Sequence, residues 1–494
     1  MKKIIETLRE KDIDVLVFLL IVISGISLFV LVNCEDELWN FANCYKMFNG
    51  YKIYEEINVI ITPLFFYIAQ IFLKVFGNNL LAFRIYNIFI FLVFLFLIYF
   101  IFKSLKIVKR RAALYVTIIM YIFCGMITAG ANYNILSIIP ILIAVLLIIN
   151  KKENNLLLGI LLCITFLIKQ NVYVYFAMGL FINKFFGEGN IKTKIIDLFK
   201  IYFISMVGII IFLTYLYLDG NLYNFINYCF LGMSEFGIKN LALSFSGVKY
   251  IYISIIVIIF TIFIINNKKT RLFLDDVTIK NLKTLLSFGI PLLLISYPII
   301  NYYHATLSCI LIIIEFMYVI EYILIQNLQI KIKKEKWLYI SFIFLFIIYI
   351  YYKGMIIGIS EINKGNIILN NEGVFYGSLI KKEDYKDIEI ICNYIKEQEK
   401  NNVEVKILSY KANLYMVKLD KNNGVFDLAF VGNLGEGGEE YLVDKIKKMD
   451  NSILLIQTDS EKIFWQESKK VRDYIISNYN KIGEIQEYSI FYIN

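Results

Sequence analysis

Three acids stand together in the stretch CEDELWNFANCYKMFNG, as Glu35, Asp36 and Glu37, directly after the apolar run VLVFLLIVISGISLFVLV. A carboxylate held under cover near a basic group can take a proton from a reacting hydroxyl, so this triplet holds candidate general bases. Three other short polar turns lie between long apolar runs: Asn132-Tyr133-Asn134, Lys169-Gln170-Asn171 and Asn301-Tyr302-Tyr303-His304. Arg84 stands near the start of a further apolar run, and His304 is the single histidine of the chain. Ionisable groups at membrane depth cost free energy unless they serve a site or pair with one another. Plainer roles compete with chemistry. Lys169 can snorkel to headgroups, Arg84 can pair with the acids, and Trp39 can sit in an interfacial belt. Likewise Asn132, Tyr133 and Asn134 can satisfy backbone groups at a helix start.

What positions these residues follows from composition. The chain has 494 residues, 59% hydrophobic, 16% aromatic and 18% charged, with a mean hydropathy of +0.65. A soluble globular domain cannot hide that much apolar surface, whereas a bilayer can solvate it. The fold class expected is an α-helical polytopic membrane protein. A span needs roughly 20 apolar residues. Eleven runs qualify, near 14–33, 80–102, 112–130, 134–150, 155–168, 171–186, 198–218, 249–266, 284–300, 305–325 and 337–357. With the N-terminus inside, the cytoplasmic segments hold 24 Lys and Arg against seven on the other side, which sets that orientation. The net charge of +9 is thus a topology signal, and no nucleic-acid partner is implied. All four polar turns then fall on the outer face, where they can line one shared cavity. No cleavable signal is evident, because the first apolar run has the length of a full span.

Residues 1–358 therefore read as the membrane domain, with a first outer loop at 34–79. Within it, YKIYEEINVIITPLFFYIAQIFLKVFGNN (51–79) is too apolar for a solvated loop. It predicts one or two amphipathic helices lying along the surface and covering the acids. Residues 359–494 change character. Strand-length runs (VEVKILSY, SILLIQTD, EYSIFYIN) alternate with helical patterns (YKDIEIICNYIKEQEK, EEYLVDKIKKM), which predicts a small extracytoplasmic α/β domain. Its loop GNLGEGGEE lacks the Gly-Lys-Ser/Thr ending of a phosphate loop and reads as a turn before a helix.

The segment DELWNFANCYKMFNGYKIYEE…ITPLFFYIAQIFLKVFG…AFRIYN resembles the first outer loop of GT-C glycosyltransferases. The likeness is strongest to the protein O-mannosyltransferase and lipid A aminoarabinose transferase families. Asp36-Glu37, Gly50, Pro63-Leu64, Phe76-Gly77 and Arg84 follow the family order, and ANYNILS, IKQN and SYPIINYYHATLS are similar to later outer turns. The likeness covers residues 14 to about 325. It implies an inverting glycosyltransferase moving a sugar from a polyprenyl-phosphate donor to a hydroxyl of a cell-envelope acceptor. By that resemblance Asp36 is the base and Glu37 orients sugar or acceptor. Lys169, Arg84 and His304 meet the donor phosphate, while Asn132, Tyr133, Asn134, Gln170, Asn171 and Tyr303 bind sugar or acceptor. The nearer relatives need no metal, so no cofactor is expected, although a Glu-Asp-Glu triplet is a possible cation ligand. Two departures stand out. Ile61-Thr62 precedes Pro63 where aminoarabinose transferases carry a lysine, and Asn132 and Asn134 stand where some relatives place a second carboxylate.

Rival classes make different demands on the sequence. A flippase or transporter for a lipid-linked sugar calls for charged residues through the bilayer depth and an internal repeat. A polymerase or ligase for lipid-linked oligosaccharides calls for a large late outer loop, and a sensor for a cytoplasmic output module. The sequence pattern favours none of the three.

Overall fold

The computed structural model describes residues 36–127, 133–233, 246–267, 274–322, 345, 367–369, 372–426, 434–457 and 467–494. Over these residues the protein is mostly helical and ends in a small sheet. The expected span near 14–33, and nearly all of that near 337–357, lie outside the described residues.

The acids open a helix instead of a loop. In α1 (Asp36–Phe48), Asp36 and Glu37 occupy the first turn. Carboxylates there meet unsatisfied N–H groups and the positive end of the helix dipole, which stabilises by about 0.3–1 kcal/mol each. The expectation of amphipathic helices over 51–79 is met by one helix, α2 (Leu64–Phe76), which carries Gln70 and the exposed Lys74 on the side away from its buried residues. Phe65, Phe66, Ala69 and Leu73 are buried, while Tyr67, Ile71, Val75 and Phe76 are exposed. Residues 51–62 form an irregular loop in which the Tyr54 hydroxyl donates to Ile61 O at 3.0 Å.

The remaining helices of this region are α3 (Leu80–Ser104), α4 (Lys109–Ile127), α5 (Tyr133–Ile149), α6 (Asn155–Ile168), α7 (Gln170–Phe185), α8 (Ile191–Leu218) and α9 (Leu222–Ile226). There follow α10 (Val248–Asn266), α11 (Asp276–Leu292), α12 (Tyr302–Ser308) and α13 (Ile310–Val319). Among the described residues four helices are long and apolar enough to cross a membrane, or five when the pair around Cys309, bent by 54°, counts as one. With 14 and 16 residues, α6 and α7 are each shorter than the roughly 20 a straight crossing takes. They meet at Lys169, a single extended residue with φ −159° and ψ 110°.

Packing is close where side chains are small. A Cβ on Gly179 of α7 would lie 2.5 Å from the Phe288 ring of α11, so glycine sets the approach of these two helices. The same pair is tied by Asn183 donating to Thr284 at 3.3 Å. Arg111 of α4 pairs with Glu321, which is fully buried and also accepts from the Tyr115 hydroxyl at 3.3 Å.

The C-terminal region has a short antiparallel pair, β1 (Ile367–Leu369) with β2 (Leu379–Lys381), then α14 (Lys382–Lys400). Next come β3 (Glu404–Leu408), α15 (Ala412–Leu419), α16 (Gly438–Lys447), β4 (Ser452–Gln457), α17 (Lys469–Asn478), β5 (Asn480–Ile485) and β6 (Tyr488–Ile493). The sheet order is β3-β4-β6-β5, with β3 and β4 parallel. Every residue of β4 is buried, as its unbroken apolar run ILLI requires of a central strand covered on both faces. One face, including Ile453 and Leu455, is continuous with the membrane-region core through α14 and α15; the other, including Leu454 and Ile456, packs on α16 and α17.

The two regions are joined by specific contacts. Lys46 of α1 donates to Asn413 of α15 at 3.1 Å, and Leu80 N donates to Val374 O at 2.8 Å. Burial, helped by the charge of Lys406, brings the Lys46 amine down to about 7. The glycine-rich turn before α16 docks on the π-helical turn Asn227–Leu231: Glu436 N donates to Asn227 Oδ1 at 2.7 Å. Gly435 has φ +73°, and a Cβ there would lie 2.5 Å from the Asn227 side chain. Gly435→Ala is therefore expected to cost about 1–3 kcal/mol through strain and overpacking. Thermal unfolding of the detergent-solubilised chain should show the loss, and an unshifted midpoint would show that the docking is not tight.

Candidate functional site

Five elements bring the polar residues together. Asp36 starts α1, Tyr133 and Asn134 start α5, Lys169 separates α6 from α7, and Tyr303 and His304 lie in α12. Lys169 Nζ donates to Asn134 Oδ1 and stands 5.2 Å from the centroid of the Tyr133 ring. Asn134 Nδ2 in turn reaches the Tyr303 hydroxyl at 3.5 Å, and the Tyr303 ring meets that of His304 edge to face at 5.1 Å. The negative charge of Asp36 acts on Lys169, Tyr133 and Tyr303, and the positive charge of Lys169 acts on His304. Burial lowers the Lys169 ammonium to about 8, while Asp36 pulls it back upward. An acid, a cation and a set of phenols and amides thus face one another across positions up to 268 residues apart in sequence, from Asp36 to His304.

The two acids of α1 are divided in their surroundings. Asp36 is exposed, contrary to the expected cover over it. Glu37 is 4% exposed and receives both Nε and Nη2 of Arg84, at 2.7 and 2.9 Å. Arg84, itself 3% exposed, therefore holds Glu37. Removing one member of such a pair strands a buried charge. Arg84→Met or Glu37→Gln should each destabilise by about 3–5 kcal/mol, and the Glu37→Met/Arg84→Met double variant by much less. A double-mutant cycle on melting temperature checks this; additive losses would mean the pair does not couple.

Other side chains are placed by local capping. Asn301 Oδ1 accepts from His304 N and lies 2.9 Å from His304 Nδ1. An amide oxygen there assigns the ring proton to Nδ1 and leaves Nε2 as an acceptor. Gln170 Nε2 donates to Ile60 O at 2.8 Å and to Cys229 O at 2.9 Å, which links the first loop to the π-helical turn. Among the described residues, Gln170 Oε1 and Asn171 Oδ1 are buried without a hydrogen-bond partner. Buried carbonyls of this kind call for donors such as hydroxyl groups. Trp39, one turn after Asp36, packs against Ile60, Tyr133 and Tyr410, so the C-terminal region touches the site directly. Glu35 and Asn132 lie outside the described residues. Among the described residues no three His, Cys, Asp or Glu side chains gather as a metal centre would require.

One ionisable residue was not anticipated. Glu315 of α13 is fully buried within ILIIIEFMYV, beside Thr261 of α10, and neither carboxylate oxygen has a hydrogen-bond partner among the described residues. The expectation that polar residues in apolar runs cluster at one end fails for this position. Its signal was a lone acid in an unbroken apolar run. The chain was compared with known protein families and with characterised proteins, and it matches none of them.

Proposed function

We propose that this protein is an inverting membrane glycosyltransferase of the GT-C type, which passes a sugar from a polyprenyl-phosphate donor to a hydroxyl acceptor at the extracytoplasmic face. The observation that carries this reading is the meeting of Asp36 with Lys169, Tyr133, Asn134 and Tyr303 from separate elements. The acceptor hydroxyl gives its proton to the Asp36 carboxylate as its oxygen bonds to the anomeric carbon. The bond from that carbon to the phosphate breaks, and its electron pair leaves with the polyprenyl phosphate. Lys169 meets the charge gained by the phosphate. Asp36 is assigned this role as the solvent-exposed acid of the pair, while Glu37 is buried against Arg84. Gln170, Asn171 and Tyr303 hold sugar hydroxyls, and His304, with Nε2 as acceptor, suits a hydroxyl better than a phosphate. About eleven spans, an inside N-terminus and an outside C-terminal domain belong to the same reading, which places the prenyl chain in lipid and its phosphate at the interface.

The test is to incubate the purified protein with a panel of polyprenyl-phosphate sugars and follow sugar release. Release from at least one donor is expected. Silence across a broad panel would remove the proposal. Glu315 favours the transport reading, because an acid inside a bundle marks many ion or substrate paths. If lipid-linked sugar movement across vesicles depends on Glu315 and not on Asp36, transport replaces transfer.

A further inference from the structure

Lys169 belongs to neither of the helices it separates. Its N–H bonds back to Thr165 O of α6 at 2.8 Å, and its carbonyl accepts a longer bond from Tyr173 N of α7, at 3.3 Å. It is also the N-cap of α7, and its side chain makes no capping bond. A helix start without a side-chain cap is weakly fixed by local structure, so its place depends on contacts from elsewhere in the fold. Gln170, the first residue of α7, makes such contacts through both hydrogens of one amide, to Ile60 O at 2.8 Å and to Cys229 O at 2.9 Å. Ile60 lies in the irregular loop, and Cys229 lies in the π-helical turn Asn227–Leu231. Carbonyls of an irregular loop and of a helix end call for donors from outside. The loop and the turn also touch each other, since Cys229 Sγ donates to Val59 O at 3.7 Å. Ile60 packs on Trp39 beside Tyr133, so this junction forms a wall of the candidate site.

We infer that Gln170 is a positioning residue for Lys169: it pins the irregular loop and the π-helical turn to the start of α7, and so holds the ammonium against Asn134 and Tyr133. Those two neighbours set the tip of the lysine, whereas the brace sets its backbone. The titratable groups that face Lys169 are Asp36 of α1, Tyr133 of α5 and His304 of α12, with Tyr303 of α12 reached through Asn134. Losing the brace alters none of these groups. It admits water to the ammonium. Burial outweighs the pull of Asp36 in bringing Lys169 to about 8, so rehydration moves its titration back toward that of an ordinary lysine. The catalytic consequence rests on the transferase reading; the placing of Lys169 does not.

The experiment uses the full chain in lipid nanodiscs without substrate, so that a contact of Gln170 Oε1 with a sugar does not enter. Trace acetylation with acetic anhydride across pH, read on the Lys169 peptide by mass spectrometry, follows the titration of this one amine. Gln170→Met keeps the length of the side chain and removes both donors. It should raise the midpoint by about one pH unit, a tenfold change in proton affinity. Gln170→Asn, which draws the amide back by one methylene, takes its place if that variant does not fold. Asn227→Ala cuts the bond from Glu436 in the same π-helical turn and spares the Gln170 amide, so it should titrate as the parent does. The inference is overturned if a folded Gln170 variant keeps the parent's midpoint. It is equally overturned if Asn227→Ala moves the midpoint as far, which would mark a general loosening of the wall. Adding a lipid-linked sugar that the protein cleaves then tests the consequence. A kcat lowered about tenfold by Gln170→Met, with the alkaline limb displaced upward beside the acetylation midpoint, supports the positioning role. A midpoint that moves while kcat and limb stay overturns the catalytic consequence and leaves the brace standing. Silence of the parent with every donor removes the transferase reading alone.

Discussion

If the protein is the proposed transferase, Asp36→Asn should lower the rate of sugar transfer by about 10²–10⁴-fold, the usual worth of a positioned general base, while the donor still binds. The substitution removes one negative charge and keeps the shape of the side chain. At the start of α1 it removes a favourable charge worth about 0.3–1 kcal/mol, and thermal unfolding reports the whole cost. Glu37→Gln differs in kind, because it leaves the buried Arg84 guanidinium without its carboxylate and should show first in the melting temperature. Single-turnover transfer from a radiolabelled lipid-linked sugar, measured beside donor binding and thermal unfolding, separates the two. A folded Asp36→Asn protein with undiminished turnover would end the assignment of Asp36 as base.

Lys169→Met lowers turnover by about 10²–10³-fold, the usual worth of one preorganised group facing developing charge, and it weakens donor binding as well. Methionine keeps the apolar stem and removes only the ammonium. The wild-type rate should also fall as pH rises through about 8, where the buried Lys169 loses its proton. The sign follows from burial: the neutral amine is favoured inside, so the Lys169 charge disappears at lower pH than that of an exposed lysine. Because Asp36 pulls Lys169 upward, the residual activity of Asp36→Asn should lose its alkaline limb at lower pH than the parent. A pH–rate profile of both proteins measures this. An alkaline limb that stays with Lys169→Met, or that does not move in Asp36→Asn, would show that another group sets it.

Parts of this architecture were legible before any coordinates, and the physical reasons are specific. The run SILLIQ is apolar at four consecutive positions, and it forms the central strand buried on both faces. In YKDIEIICNYIKEQEK the buried residues Ile388, Ile391, Cys392 and Ile395 follow the helical spacing of one face. In α2 the same spacing separates the buried Phe65, Phe66, Ala69 and Leu73 from Gln70 and the exposed Lys74. Periodicity was silent about β5, whose NKIGEI pattern is mostly exposed and is held by β6.

What the amino-acid sequence determined alone was the inventory: long apolar helices, four polar turns between them, and a mixed strand-and-helix tail. Tertiary structure decided which of the acids is available. Successive residues of a helix point about 100° apart, so Asp36 and Glu37 cannot share surroundings, yet nothing in the order of residues says which turns inward. Arg84 of α3 pairs with Glu37 in the interior, while Asp36 lies at the surface within the field of Lys169. These are long-range contacts, and they exist only once the helices pack.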